Sequence, residues 1–128
     1  MKYLVDTDVL IDFLRGVKGS YKFVSRIIEE GSAISAITVA ELLSGKRTAD
    51  PARRRYVLAL ISKFTVIPLD REIGITAGEL RRDYGVKIGD AAIAATALAH
   101  NLTLITRNIR DFSRIPNLAV KVPDYARE

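Results

Sequence analysis

Cysteine, tryptophan and glutamine are missing from the sequence, which has only one histidine and one methionine. Without cysteine, disulfide bonds and thiolate metal sites are excluded. The single histidine, His100, cannot supply the pair of imidazoles needed for acid–base cleavage of a phosphodiester, and we expect it to interact with carbonyl groups at a helix end. Neither a Gly-x-Ser-x-Gly nucleophile elbow nor a Gly-Lys-Ser/Thr phosphate loop occurs. Any hydrolytic chemistry would therefore depend on carboxylates and a metal ion.

Long hydrophobic runs are also missing. Hydrophobic residues make up 48% of the 128 positions, enough for the core of one domain, and we expect a single domain spanning residues 1–128. The most apolar stretch, residues 91–99, is far shorter than the roughly 20 residues of a membrane span. Asp6 and Asp8 interrupt the apolar region that a secretory signal would need. We therefore expect a cytoplasmic protein without a membrane segment.

The chain is basic, with a net charge of +5. A basic surface favours polyanionic partners such as nucleic acid, although a protein can be basic without such a partner. Lys46 and Arg47 lie in one candidate phosphate-binding segment, and Arg107 and Arg110 lie in another. The basic run at residues 53–55 is better explained as a solvated helix face.

Short apolar segments alternate with stretches of helical periodicity along the whole chain. The strands are predicted at residues 2–5, 33–35, 65–67, 102–106 and 120–122. Asp50 and Asp70 are predicted helix N-caps, Thr38 is predicted to open a helix, and the tail at residues 124–128 is expected to fray. Strands that alternate with helices predict a mostly parallel sheet covered on both faces, which is an α/β fold.

Five of the fifteen acidic residues stand out by their positions, namely Asp6, Asp8, Glu41, Asp90 and Asp111. Asp6 follows the first predicted strand, Glu41 comes after the second and Asp111 after the fourth. In an open parallel sheet these positions lie at the carboxyl-end edge, where such folds bind ligands. Asp90 opens the most apolar helix, so topology alone determines its place less firmly. By contrast, Asp12 is predicted to lie on the outer face of the first helix.

Each acidic residue also has a structural explanation. Asp6, Asp90 and Asp111 could cap a helix or turn, and Thr38 with Glu41 fits a capping box. Taken together, however, four carboxylates in one pocket would repel one another. Mg²⁺ or Mn²⁺ would offset this repulsion and can activate a water molecule at a phosphate. The pattern therefore indicates a metal-dependent nuclease.

The chain resembles the PIN-domain family, and in detail the VapC-type toxins of bacterial and archaeal toxin–antitoxin pairs. Four segments carry the resemblance in the family's order: LVDTDVLID (4–12), ITVAEL (37–42), GDAAIAATA (89–97) and LITRNIRDF (104–112). The resemblance implies a three-layer α/β/α sandwich with strand order 3-2-1-4-5. It also implies an Mg²⁺- or Mn²⁺-dependent endoribonuclease, a homodimer, and a cognate antitoxin that blocks the site.

The resemblance places the metal-binding acids on Asp6, Glu41, Asp90 and Asp111. On this hypothesis Asp6 and Asp90 hold the principal ion, while Glu41 and Asp111 complete its shell or hold a second one. Many relatives have Asn or another small polar residue at the position of Asp8, which here adds a possible fifth carboxylate. Thr106 and Asn108 are expected to orient water or phosphate.

Two other functions fit the same residues. The Asp6-Thr-Asp8 pattern also suits a phosphotransferase, with Asp6 as the nucleophile and Asp8 as the acid/base. Because no lysine follows a late strand, Arg107 would then have to neutralise the phosphoryl group. The other alternative is a non-catalytic module that binds RNA or an antitoxin independently of metal.

Overall fold

Five parallel strands form one sheet in a computed structural model that describes residues 1–126. The strands are β1 (Tyr3–Val5), β2 (Ser32–Ser35), β3 (Thr65–Ile67), β4 (Thr103–Ile105) and β5 (Val120–Lys121). Their order across the sheet is β3-β2-β1-β4-β5, and every neighbouring pair is parallel. The predicted strand order and parallel sheet are therefore confirmed.

Helices connect the strands and cover both faces of the sheet. They are α1 (Thr7–Arg15), α2 (Ser20–Glu29), α3 (Ala36–Leu43), α4 (Pro51–Ile61), α5 (Arg71–Tyr84), α6 (Ile88–His100) and α7 (Ile109–Phe112), with single 3₁₀ turns at Lys46–Ala49 and Asp124–Ala126. Asp50 and Asp70 cap α4 and α5 through their side chains, as predicted. Within residues 1–126, no helix has the length and apolar character needed to cross a membrane.

The hydrophobic core has one layer on each side of the sheet. Leu4 and Val5 are adjacent in β1 and fully buried, but they face opposite sides because side chains alternate along a strand. Leu4 packs with residues of α5 and α6, whereas Val5 packs with residues of α1, α2 and α4. This arrangement confirms the three-layer α/β/α sandwich. Helix α6 is buried along Ala91–Ala97, as its apolar sequence predicts.

Two helix starts differ from the sequence prediction. Helix α3 begins after Ser35, whose hydroxyl accepts a hydrogen bond from the Ile37 amide. Thr38 therefore lies inside the helix and does not open it as predicted, and the alternative in which Thr38 and Glu41 form a capping box is also wrong. Helix α6 begins after Lys87, so Asp90 lies in its first turn and does not cap it. Both carboxylates are thereby left without a role in capping their helices.

Two further predictions are wrong, one about the exposure of Asp12 and one about fraying of the C-terminal tail. Asp12 is only 5% exposed and does not lie on an outer face of α1. The predicted frayed tail is docked as far as the structure describes it, because the Tyr125 ring lies 5.8 Å from the Phe23 ring. Residues 127–128 of that prediction lie outside the described residues. The Tyr125 hydroxyl donates a hydrogen bond to Asp12 Oδ2 at 2.7 Å.

Candidate active site

Asp6 lies at the carboxyl end of β1, where the chain turns into α1. Its amide donates to the Ile105 carbonyl in β4, which fixes the backbone at the sheet edge. One carboxylate oxygen, Oδ1, accepts from the Thr7 amide at 2.8 Å and caps the helix. The other, Oδ2, accepts from the Thr106 hydroxyl at 2.7 Å. The structural role considered from the sequence is therefore real, and it orients a carboxylate that is 5% exposed.

The fold brings the five singled-out acids close enough together for their charges to interact. We call Asp6, Asp8, Glu41, Asp90 and Asp111 the acid cluster. Burial and the charges of Asp8 and Asp90 together raise the pKa of Asp6 to about 7, against the lowering effect of its hydrogen bonds from Thr106 and Thr7. Burial also raises the pKa of Asp90, and Glu41 and Asp111 add to this shift. The repulsion expected among these carboxylates is thus present in the folded chain.

Glu41 extends from α3 toward the start of α1. The Thr7 hydroxyl donates to its Oε1 at 2.6 Å and also lies 2.9 Å from the Thr38 hydroxyl. On the other side, a Cβ added at Gly89 would lie only 3.1 Å from Glu41 Oε2. Glycine at position 89 therefore leaves room for the carboxylate against α6. Sequence reasoning did not single out Thr7, although it lies between the two prominent aspartates.

Asp8 has two unequal carboxylate oxygens. Its Oδ2 accepts from the Arg107 amide at 3.1 Å and lies 3.4 Å from the Thr106 hydroxyl. Its Oδ1 is buried and has no hydrogen-bond partner within residues 1–126. Burial raises the pKa of Asp8, while the positive charge of Arg107 opposes the shift. A buried anionic oxygen without a partner is costly unless a ligand satisfies it.

Thr106 and Asn108 connect Asp111 to this site. Thr106 is fully buried, and besides donating to Asp6 its hydroxyl accepts from the Asn108 amide at 2.9 Å. The Asn108 side chain donates through Nδ2 to Asp111 Oδ2 at 3.0 Å. The loop after β4 therefore holds both Asp6 and Asp111, which places the two predicted supporting residues within the site.

The candidate phosphate-binding residues lie in different environments. Arg107 donates through Nε to Asp12 Oδ2 at 2.6 Å, so its guanidinium already has a buried anionic partner.

Lys46 and Arg47 line a cleft of about 270 Å³ that Glu41 also borders. Arg53 also lines this cleft, so it is not simply part of a solvated helix face as predicted, and the structure adds one cation that sequence reasoning missed, Arg15. Arg110 is exposed on α7, beside Asp111 in sequence.

The acid cluster has the chemistry of a divalent-cation site. Its donors are all carboxylate oxygens, the ligands that Mg²⁺ and Mn²⁺ prefer. A cation would satisfy Asp8 Oδ1 and offset the repulsion that raises the pKa of Asp6 and Asp90. With the side chains as they stand, no three acidic or histidine residues in the described chain are grouped closely enough to hold an ion. Cation binding would therefore draw the carboxylates closer together.

Comparison with known proteins places this geometry in a family. The PIN domain model matches residues 3–118. Ribonuclease VapC10 of Mycobacterium tuberculosis is 39% identical over 121 residues, which cover 90% of this chain and 89% of that protein. A toxin–antitoxin complex from Klebsiella pneumoniae contains a chain that is 34% identical, with a TM-score of 0.72 and coverage of 92% of this chain and 96% of that one.

A second solved structure is more similar in backbone, though less so in sequence. It is the DNA-bound VapBC from Salmonella typhimurium, with a TM-score of 0.84, 26% identity, and coverage of 95% of this chain and 98% of that one. Fold, sequence and the order of the four motifs agree with the resemblance identified from the sequence. The chain therefore belongs to the PIN-domain family and, within it, to the VapC-type proteins.

Proposed function

We propose that this protein is a divalent-metal-dependent endoribonuclease and the toxin of a toxin–antitoxin pair. The observation that carries the proposal is the acid cluster, in which five carboxylates lie close enough for their charges to interact. One oxygen of this cluster, Asp8 Oδ1, is buried without a hydrogen-bond partner among the described residues. The ribonuclease name of the VapC10 relative, at 39% identity, supports the same activity. The reaction is hydrolysis of an RNA phosphodiester.

We assign a role to each member of the acid cluster. Asp6 and Asp90 hold the principal Mg²⁺ or Mn²⁺ ion, Glu41 and Asp111 complete the shell or hold a second ion, and Asp8 offers Oδ1 as a further donor. A bound divalent cation lowers the pKa of a water molecule and stabilises negative charge on a phosphate.

Neutral side chains of the protein keep the carboxylates in place. Thr106 orients Asp6, Thr7 orients Glu41, and Asn108 orients Asp111, each through a hydrogen bond of 2.6–3.0 Å. Because these donors are neutral, they orient the carboxylates without cancelling the negative charge that attracts the cation.

The basic cleft beside Glu41 is the proposed path of the RNA backbone. Arg15, Lys46, Arg47 and Arg53 line it, and none of the four forms an ion pair in the part of the chain that the structure describes. Their charges are therefore available to phosphates. Arg110 is proposed as a further phosphate contact. Arg107, by contrast, is already paired with Asp12, so its proposed role is to hold the site together.

The proposed partners are an RNA substrate, a cognate antitoxin and a second copy of the chain. The toxin–antitoxin complex from Klebsiella pneumoniae supports the antitoxin. The homodimer rests on the family resemblance alone. The cytoplasm is the proposed location, since the proposed substrate is RNA.

The phosphotransferase alternative is less well supported. It requires Arg107 to neutralise a phosphoryl group on Asp6, but the Arg107 guanidinium is paired with Asp12, whose side chain is 8% exposed. Trapping of a covalent-like adduct on Asp6 with vanadate or fluoride would favour this alternative. RNA binding without cleavage, and indifferent to metal, would favour the non-catalytic module.

The experiment that tests the proposal is cleavage of end-labelled total RNA by purified protein freed of antitoxin. Mn²⁺ and Mg²⁺ are each compared with EDTA. We expect discrete products with either metal and none in EDTA. Folded protein that yields no products with any divalent metal would contradict the proposed activity.

A further inference from the structure

We propose that Tyr125 and Asp12 are positioning residues that orient Asp8 in the acid cluster, and that they act through Arg107. The inference concerns a chain of contacts that links the C-terminal turn to the site. Its kinetic consequence rests on the proposed nuclease function, whereas its structural consequence does not.

The first contact in this chain is the buried carboxylate of Asp12. Asp12 lies one helical turn after Asp8 on α1, so the two side chains lie on the same side of the helix. Its Oδ2 accepts from Arg107 Nε at 2.6 Å and from the Tyr125 hydroxyl at 2.7 Å. Both donors are needed to compensate for burial of the charge, because a buried carboxylate that loses a donor is strongly disfavoured.

The second contact is made by the backbone of Arg107. Its side chain is held by Asp12, while its amide donates to Asp8 Oδ2 at 3.1 Å. One residue therefore bridges two carboxylates on successive turns of α1. With Oδ2 held in this way, Asp8 keeps Oδ1 as the oxygen without a partner among the described residues. Release of the Arg107 side chain would loosen the loop that fixes this orientation.

Packing of the C-terminal turn places the Tyr125 hydroxyl within hydrogen-bond distance of Asp12. The Tyr125 ring packs against Phe23 of α2. Gly19 makes room for it, because a Cβ at that position would lie only 2.8 Å from the Tyr125 Cβ. Burial raises the pKa of the Tyr125 phenol above its ordinary value, and Asp12 adds to this shift. A phenol is protonated at neutral pH even at its ordinary pKa of about 10, so the Tyr125 hydroxyl is a donor there, and the upward shift extends this to higher pH.

Tyr125→Phe removes only the hydroxyl and tests the inference, and Asp12→Asn is a second variant of nearly unchanged shape. Tyr21→Phe is the matched control, because that ring is 72% exposed. The first measurement is hydrogen exchange of the Arg107 amide in metal-free protein. The second is kcat and KM for RNA cleavage, measured for each variant both in the natural chain and in an Asp8→Ala background.

We expect faster exchange of the Arg107 amide in Tyr125→Phe and Asp12→Asn but not in Tyr21→Phe. We also expect kcat to fall about tenfold with little change in KM. A tenfold change corresponds to the free energy that one hydrogen bond to a charged acceptor typically contributes. In the Asp8→Ala background, Tyr125→Phe should cause no further loss, because the residue through which it acts is gone.

Unchanged exchange of the Arg107 amide in both variants would overturn the inference. An equal fall in kcat with and without Asp8 would also overturn it, since that result describes a general structural effect. Should the natural chain cleave no RNA, the proposed function fails, and the exchange measurement alone decides this inference.

Discussion

The Thr106 hydroxyl donates to Asp6 Oδ2 at 2.7 Å, a contact between residues 100 positions apart in the sequence. It joins the end of β4 to the end of β1, which are neighbouring strands in the sheet. The same hydroxyl accepts from the Asn108 amide and lies 3.4 Å from Asp8 Oδ2, so the shorter contact with Asp6 is its main donor interaction and orients that carboxylate. A neutral donor thus orders the buried acid on which the proposed activity depends.

Replacement of Thr106 by Val keeps the shape of the side chain and removes this donor. We expect stability to fall by about 1–3 kcal/mol, because a buried carboxylate loses a partner, and kcat to fall more than KM rises. Urea unfolding and steady-state cleavage measure the two effects. Thr96→Val is the control, since Thr96 is equally buried and, among residues 1–126, donates only to the Ala92 carbonyl within α6. Equal effects of the two substitutions on kcat would contradict the role of Thr106.

Substitution of Gly89 should lower the cleavage activity without lowering the stability of the fold. We expect Gly89→Ala to push Glu41 aside, because the new Cβ would lie 3.1 Å from its Oε2, and cleavage should fall several-fold. Stability should not fall with it, since alanine favours a helix over glycine by up to about 1 kcal/mol. Gly78→Ala on α5 would place its new Cβ more than 4 Å from any described residue outside its own stretch of helix, so it should stabilise without loss of cleavage. Full cleavage by Gly89→Ala would show that Glu41 tolerates displacement.

The stability of the metal-free protein should depend on pH through Asp6. Its pKa rises from 3.8 to about 7 on folding, so the folded state binds its proton more tightly than the unfolded state does. The resulting stabilisation is complete below about pH 4 and is lost as the pH rises through about 7. In EDTA we therefore expect the free energy of unfolding to fall over this range, with a slope of at most about 1.4 kcal/mol per pH unit for each proton.

Urea unfolding at pH 5, 6, 7 and 8 would measure this dependence. Asp6→Asn should flatten the profile, and saturating Mg²⁺ should restore stability most strongly at pH 8. A profile in EDTA that is the same in Asp6→Asn and in the natural chain would rule out Asp6 as its source.

The basic cleft should affect binding of RNA more than the chemical step. We expect Arg47→Gln to raise KM several-fold with little change in kcat, and to reduce the slope of log affinity against log salt by about 0.7, the value for one phosphate contact on a single strand. Arg54→Gln is the control, because Arg54 is exposed on α4 and does not line the cleft. An unchanged salt slope in Arg47→Gln would remove this residue from the proposed RNA path.

Much of the fold was visible in the sequence because its signals are local. Short β-branched and apolar segments such as Tyr3–Val5 alternate with helical periodicity, and this pattern predicts parallel strands whose carboxyl ends share one edge. That edge places Asp6 and Asp111 near each other without any knowledge of side-chain contacts. Asp90 is different, because it comes from a helix start, so the strand order alone determined its place less firmly, and the family resemblance added the expectation that it binds metal with Asp6.

The errors arose where a distant residue decides the environment. Asp12 looked like a surface residue because its partners, Arg107 and Tyr125, are 95 and 113 positions away. The one local signal was its spacing of four residues from Asp8, which puts both on one side of α1. The error in the start of α3 had a different cause. Ser35 and Thr38 are both acceptable caps, and the end of β2 determines which one is used.

The most direct test of the central claim is single-turnover cleavage of one mapped RNA substrate in Mn²⁺ by the Asp6→Asn variant. Asp83→Asn serves as its control, because Asp83 is on the surface and pairs with its neighbour Arg82. With both variants shown to be folded by circular dichroism, we expect Asp6→Asn to lose at least about 10³-fold in rate, roughly 4 kcal/mol of transition-state stabilisation, and Asp83→Asn to match the natural chain. Cleavage by folded Asp6→Asn at the natural rate would contradict a nuclease site built on the acid cluster.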